Sequence, residues 1–214
     1  MLPEIVQALA ERGLIVRGGF NFGDDEARPA GPSRMPARSV LLVGNAGAGY
    51  RVHFEQWRAM QPADLQNPLD TWSRMVLEAV AADVGARVLM PNDRPFAPFQ
   101  QWAIRAEGLK PSPLGILIHP RYGLWHAYRG ALLFDRRIAL GPQEAAGHPC
   151  DSCIDRPCLA ACPVAAFSGE AFAYETCIAH LRGPDGGICR EQGCLARNAC
   201  PVGVEWRYPA EVQA

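Results

Sequence analysis

All eight cysteines of this 214-residue chain fall between Cys150 and Cys200, and the 149 residues before them contain none. Thiolates are soft ligands for iron and zinc, so such a bunch in a reducing compartment reads as metal ligation before it reads as disulfides. The order is Cys150-x2-Cys153-x4-Cys158-x3-Cys162-Pro163, then Cys177, then Cys189-x4-Cys194-x5-Cys200-Pro201. Both halves end on Cys-Pro-Val, which marks a duplication. At four thiolates per cluster, two iron-sulfur clusters consume the whole set, and the chemistry expected is transfer of electrons one at a time. Two zinc sites of four thiolates are the alternative, but these favour paired Cys-x2-Cys knuckles and only one is present. His148 and His180 lie near the cysteines as possible Rieske-type ligands. Eight thiolates already satisfy two clusters, so both histidines are read as loop or supporting residues.

The elements before the cysteines alternate. Pro3 to Arg12 has helical spacing with Gly13 as its stop, and a short strand is expected at Leu14 to Arg17. Gly18 to Arg38 reads as loop, and Ser39 to Val43 as a buried strand. Asn67-Pro68 opens a helix with Trp72, Met75, Val76, Ala79 and Val80 on one face, closed by Gly85. Strands follow at Ala86 to Met90, Gly115 to Ile118 and His126 to Phe134, with a helix from Phe96 to Ala106 between the first two. The last two strands form an apolar hairpin across Pro120-Arg121-Tyr122-Gly123. The sum is a three-layer α/β domain over 1–140, a linker within Asp135 to Gly147, and a two-cluster domain over 141–214. Gly44-Asn45-Ala46-Gly47-Ala48-Gly49 is neither a dinucleotide fingerprint nor a P-loop; it reads as a turn or a close backbone approach.

Composition narrows the classes. The chain is 49% hydrophobic with a formal net charge of -1 and scattered basic residues, which supports a core without staples and argues against a nucleic-acid scaffold. The N-terminus has Glu4 and Glu11 within its first helix pattern and no basic n-region, so no signal peptide is expected. No run approaches the roughly 18 to 20 apolar residues of a membrane span, and a cytoplasmic location is expected.

The cysteine spacing is similar to that of bacterial two-cluster ferredoxins, in which the cysteine before proline crosses to the neighbouring cluster. That resemblance implies two [4Fe-4S] clusters, one on Cys150, Cys153, Cys158 and Cys200, the other on Cys162, Cys177, Cys189 and Cys194. Upstream, Ile118-His119-Pro120-Arg121-Tyr122-Gly123-Leu124-Trp125-His126-Ala127-Tyr128-Arg129-Gly130 resembles the cobalamin-processing CblC family, as does Pro91-Asn92-Asp93-Arg94-Pro95. Asp93, Trp102-Ala103, Arg105-Ala106 and a Gly-x-Trp strand before a dicluster tail look like epoxyqueuosine reductase, a family that also binds cobalamin. The resemblances cover roughly residues 39 to 134 and 150 to 203.

What they imply is a nitroreductase-like or CblC-like α/β fold holding a base-off cobalamin beside the first cluster. His119, Arg121, Tyr122, Trp125 and Arg129 would hold it, with His119 and Arg121 at the polar edge of the corrin. Asp93 would be the proton-donating acid, a role that needs a buried carboxyl of raised pKa. Otherwise Trp125 and Tyr122 are core aromatics and Arg129 pairs with an acid such as Glu78. The chain lacks an Asp-x-His-x-x-Gly motif, so no histidine from it would ligate cobalt. The expected function is an oxidoreductase whose clusters, charged by a ferredoxin, flavodoxin or reductase partner, pass electrons to cobalt. A ferredoxin-type carrier whose first domain docks a partner, and a flavin-dependent reductase, remain the alternatives.

Overall fold

The computed structural model describes residues 1–141, 147–169 and 171–213. The chain divides into two compact units, one of Met1–Gly108 with Ala127–Glu144, the other of Leu109–His126 with Ala145–Ala214. The segment from Leu109 to His126, expected in the first domain, therefore packs with the cysteines.

The first unit is built on a four-stranded sheet in the order β1 (Ile15–Asn21), β2 (Ser39–Ala46), β6 (His126–Phe134), β3 (Arg87–Leu89). The β1–β2 and β3–β6 pairs are antiparallel. Seven of the eight residues of β2 are buried, which requires cover on both faces. On one face α1 (Leu2–Ala10), α2 (Arg51–Arg58) and α3 (Pro68–Val84) supply Ile5, Leu9, Phe54, Trp72, Val76, Leu77 and Val80 to a core with Leu41, Val43, Leu132 and Phe134. On the other, Trp102 of α4 (Phe99–Glu107) meets Phe20 and Phe22 edge-on at 6.3 and 5.8 Å.

Three expectations change. β1 runs on to Asn21 through a bulge between Val16 and Gly19, so the start of the expected loop is strand. α2 has no sequence counterpart among the expected elements: its residues are mostly polar and none is fully buried. The Gly44 stretch is not a turn at its start, because β2 continues to Ala46. A Cβ at Gly44 would strike the Ala127 carbonyl, so the glycine serves a close approach of β2 to β6.

The expected linker is anchored where it begins. Asp135 accepts the Ser33 N–H at 2.8 Å, Asn21 and Ile138 exchange two hydrogen bonds of 3.0 and 3.1 Å, and Ile138 is in the core. The rest of that linker, residues 142–146, lies outside the described residues.

In the second unit, β5 (Leu117–Ile118) pairs antiparallel with β4 (Lys110–Pro111), not with β6 as the expected hairpin would have it. The turn is closed by its own bridge between His119 and Gly123, and His126 Nε2 donates to the Leu117 carbonyl at 3.0 Å. Short helices carry the cysteines: α5 (Pro157–Ala160), α6 (Tyr174–Arg182), α7 (Gly187–Gln192) and α8 (Leu195–Asn198). Such short segments cannot be stable on their own and depend on the packing around them. Among the described residues no helix is long and apolar enough to cross a membrane.

Candidate metal centres in the cysteine unit

All eight cysteines carry free thiols, and the structure sorts them into two fours. Cys150, Cys153, Cys158 and Cys200 line one cavity together with Ile118, Leu124, Arg156 and Val202. Cys162, Cys177, Cys189 and Cys194 line another with Phe167, His180, Leu181 and Leu195. In each, three cysteines come from one half of the region and the fourth crosses from the other half, as Cys-Pro in both cases.

The electrostatics respect the same division. Burial pushes the Cys150 thiol up, and Cys200, Cys158 and Cys153 push it further. Cys158 is raised by burial and then by Cys200 and Cys153. Cys177 and Cys189 are raised by burial and then by Cys194 and Cys162. No thiol of one set acts on the other in these shifts. Burial raises Cys200 as well, and positive charge brought among such thiols would favour the thiolate form.

The donor chemistry fits iron-sulfur clusters. Each cavity presents four soft ligands and no carboxylate, and its remaining walls are mostly apolar, which limits water. The second cavity measures about 250 Å³. The first is much tighter, about 20 Å³. Among the described residues no three of His, Cys, Asp and Glu converge closely enough to grip a single metal ion.

Supporting donors are in place. The Ala166 N–H donates to Cys162 Sγ at 3.3 Å, and His180 Nε2 lies 3.7 Å from Cys189 Sγ. His180 is thus a wall residue of the second cavity that touches a thiol, a supporting position. His148 caps the short turn at Pro149 through its backbone carbonyl, which accepts the Asp151 N–H at 3.0 Å.

Of the five residues expected around a corrin, His119, Arg121, Tyr122 and Trp125 belong to the second unit, where Tyr122 meets both His119 and Arg121. Arg129 belongs to the first unit, where it donates to Asn45 Oδ1 at 2.9 Å and lies 5.1 Å over the Tyr50 ring. It has no bond to Glu78, which faces Arg74. Trp125 is fully buried, edge-on to Tyr208 at 5.7 Å with the Arg197 guanidinium 4.6 Å from its ring. His119 has a folding role: its Nδ1 accepts the Arg121 and Tyr122 N–H groups at 3.0 and 3.2 Å, and its ring stacks on Tyr122 at 4.2 Å. The ring stands in for the carboxylate of an Asx turn. Arg121 lies over the Tyr122 and Trp206 rings.

Asp93 is also not the acid expected. Partial burial acts to raise its pKa, but the Met90 N–H at 2.9 Å and the Arg74 guanidinium outweigh this and hold it below the usual aspartate range. It is an ionised carboxylate that closes the Met90–Asp93 turn.

The sequence reasoning missed Ile118, Leu124, Arg156 and Val202 as walls of the first cavity. The missed signal was Gly123: at φ +56° a Cβ would lie 2.7 Å from the Val202 carbonyl carbon, just past Cys200-Pro201.

No family model and no curated protein matches the chain. Among solved structures it is similar to epoxyqueuosine reductase from Streptococcus thermophilus, at TM-score 0.55 and 14% identity over 95% of this chain and 66% of that one. It is similar to the B12-trafficking protein CblC of C. elegans at TM-score 0.54 and 15% identity, over 99% of this chain and 88% of that one. An epoxyqueuosine reductase bound to a modified tRNA-Tyr stem loop gives TM-score 0.54 and 15% identity, over 96% and 66%. The chain has the fold these proteins share. It spans 66% of the length of the two epoxyqueuosine reductases.

Proposed function

We propose that this chain is an iron-sulfur electron-transfer protein with two [4Fe-4S] clusters, serving reduction of a cobalamin. The observation that carries the reading is the sorting of eight free thiols into two apolar-walled cavities of four, each completed by a Cys-Pro thiol from the other half. Cys150, Cys153, Cys158 and Cys200 would hold one cluster, and Cys162, Cys177, Cys189 and Cys194 the other. Bound there, the clusters would supply one-electron reduction.

The chain's own residues then have definite tasks. Ile118, Leu124 and Val202 keep water from the first set, and Phe167, Leu181 and Leu195 from the second. The Ala166 N–H and His180 place positive dipole against Cys162 and Cys189, which favours the more reduced, more negative state of that centre. Arg156 and Arg190 lower the pKa of Cys150 and Cys189 respectively, offsetting in part the repulsion among the thiolates.

Cobalamin as the acceptor rests on the fold shared with CblC and epoxyqueuosine reductase. The test is to reduce the reconstituted protein anaerobically, remove excess reductant, and add cob(II)alamin. Loss of the cob(II)alamin EPR signal faster than with cluster-free protein is expected. A second reading has one observation in its favour: His119, Trp125 and Arg129 are each engaged within their own units, by a turn, by burial and by Asn45 respectively. In that reading the chain is a ferredoxin-type carrier whose first unit docks a redox partner. No change of rate with cob(II)alamin, alongside reduction of a ferredoxin or flavodoxin, would favour it.

A further inference from the structure

The first unit carries an open cleft of about 690 Å³ that the cluster reading does not use. Its wall brings together Arg28, Arg87 and Arg94 with Asp93, Phe96 and Trp102. Asp93 is the one carboxylate of that wall among the described residues, and Arg74 already answers its charge. The three guanidinium groups have no ion pair among the described residues. Arg28 donates to the Asp24 carbonyl at 2.9 Å and Arg87 to the Ala30 carbonyl at 2.6 Å, while Arg94 lies 4.7 Å over the Phe96 ring. Like charges gathered in a concave wall raise the potential inside it, and an anion entering the cleft relieves that repulsion.

Two further features have the same sign and a complementary shape. The cleft reaches Pro98, where α4 begins with no side-chain cap and no acidic residue in its first turn, so the positive end of the helix dipole adds to the potential. Phe96 is 62% exposed, unusual for a ring of that size, and offers a flat face beside Arg94. Trp102, only 7% exposed, forms a fixed floor. Guanidinium forks match phosphate oxygens, aromatic faces take planar rings, and the volume suits a molecule of mononucleotide size.

We infer that this cleft binds a small phosphorylated aromatic molecule of mononucleotide size, its phosphate held by Arg28, Arg87 and Arg94 and its ring stacked on Phe96. The inference is independent of the clusters, whose presence is judged by iron content alone.

The test is calorimetric titration of the full, reconstituted chain with AMP and with flavin mononucleotide, each against its dephosphorylated form, adenosine or riboflavin. At least one mononucleotide should bind with Kd below about 1 mM, and its dephosphorylated form about tenfold or more weakly. The double variant Arg28→Ala, Arg94→Ala should lower that affinity about tenfold or more, and Phe96→Ala about threefold to tenfold. Arg94→Gln, which removes a guanidinium that lies over the exposed Phe96 ring, keeps the test open if the double variant melts early. Three results overturn the inference: no binding of either mononucleotide, equal binding of the dephosphorylated forms, or unchanged affinity in a folded arginine variant. Tighter binding of a short RNA than of any mononucleotide would also overturn it, in favour of a polynucleotide site.

Discussion

Replacing Gly123 by alanine should remove the first cluster and leave the second. Gly123 sits at φ +56° in the turn closed by the His119–Gly123 bridge, with backbone hydrogen bonds of 2.9 and 2.8 Å in the two directions. A Cβ there strikes the Val202 carbonyl and lies 3.3 Å from Gly203 N, which is backbone that cannot rotate away. Gly115, in the same unit at φ +74°, has nothing within 4 Å of its would-be Cβ and serves as the control. Both alanines carry the left-handed backbone penalty of about 1 kcal/mol. Gly123→Ala adds the cost of displacing packed backbone, about 1 to 3 kcal/mol, for a total of about 2 to 4. The displaced segment follows directly on Cys200, so the loss should fall on the set Cys150, Cys153, Cys158 and Cys200. Thermal unfolding and iron per chain, measured on both variants after anaerobic reconstitution, separate the terms. Gly115→Ala should keep about eight iron and Gly123→Ala about four. Equal melting and equal iron in the two variants would refute the clamp.

Cys162→Ala should lose the cluster of Cys177, Cys189 and Cys194 while sparing the other, read by EPR of the reduced protein and by about four remaining iron. Asp93→Asn should cost about 1 kcal/mol at pH 7, where the wild-type carboxylate is ionised against Met90 N–H and Arg74. Its pKa is lowered in the fold, so that stability is complete above the ordinary aspartate value of 3.8 and is lost as pH falls through the folded pKa. Denaturant unfolding of both proteins between pH 7 and pH 3 should therefore show the gap closing only in the acid range. His119→Ala removes the acceptor of two turn N–H groups at 3.0 and 3.2 Å and should cost about 1 to 3 kcal/mol in melting experiments run without any cobalamin.

What the sequence makes legible here is what depends on local spacing. The two cysteine fours follow from the repeated Cys-Pro step, and α3 follows from its apolar face between Asn67-Pro68 and Gly85. Pairing partners at a distance are less visible. β5 and β6 are both apolar and flank a turn, so they read as a hairpin. The imidazole of His119 and the glycine at 123 instead close the turn on itself, and the short β5 turns to β4. α2 is missed because its buried contribution is confined to partly covered Phe54 and Trp57. The neighbours of Arg129 and Trp125, Asn45 and Tyr50 for the first and Tyr208 and Arg197 for the second, lie far away in sequence and are not announced by the motif around them. The arginine cleft is assembled from residues near 28, 87 and 94, which no short window of sequence brings together.

The account rests on two clusters held by eight thiolates, and the most direct measurement is metal and acid-labile sulfide content of the protein purified and reconstituted without oxygen, with EPR after reduction. About eight iron and about eight sulfide per chain, a brown colour that bleaches on reduction, and a signal from interacting reduced clusters are predicted. Stoichiometric zinc, no sulfide and no visible absorbance would contradict it.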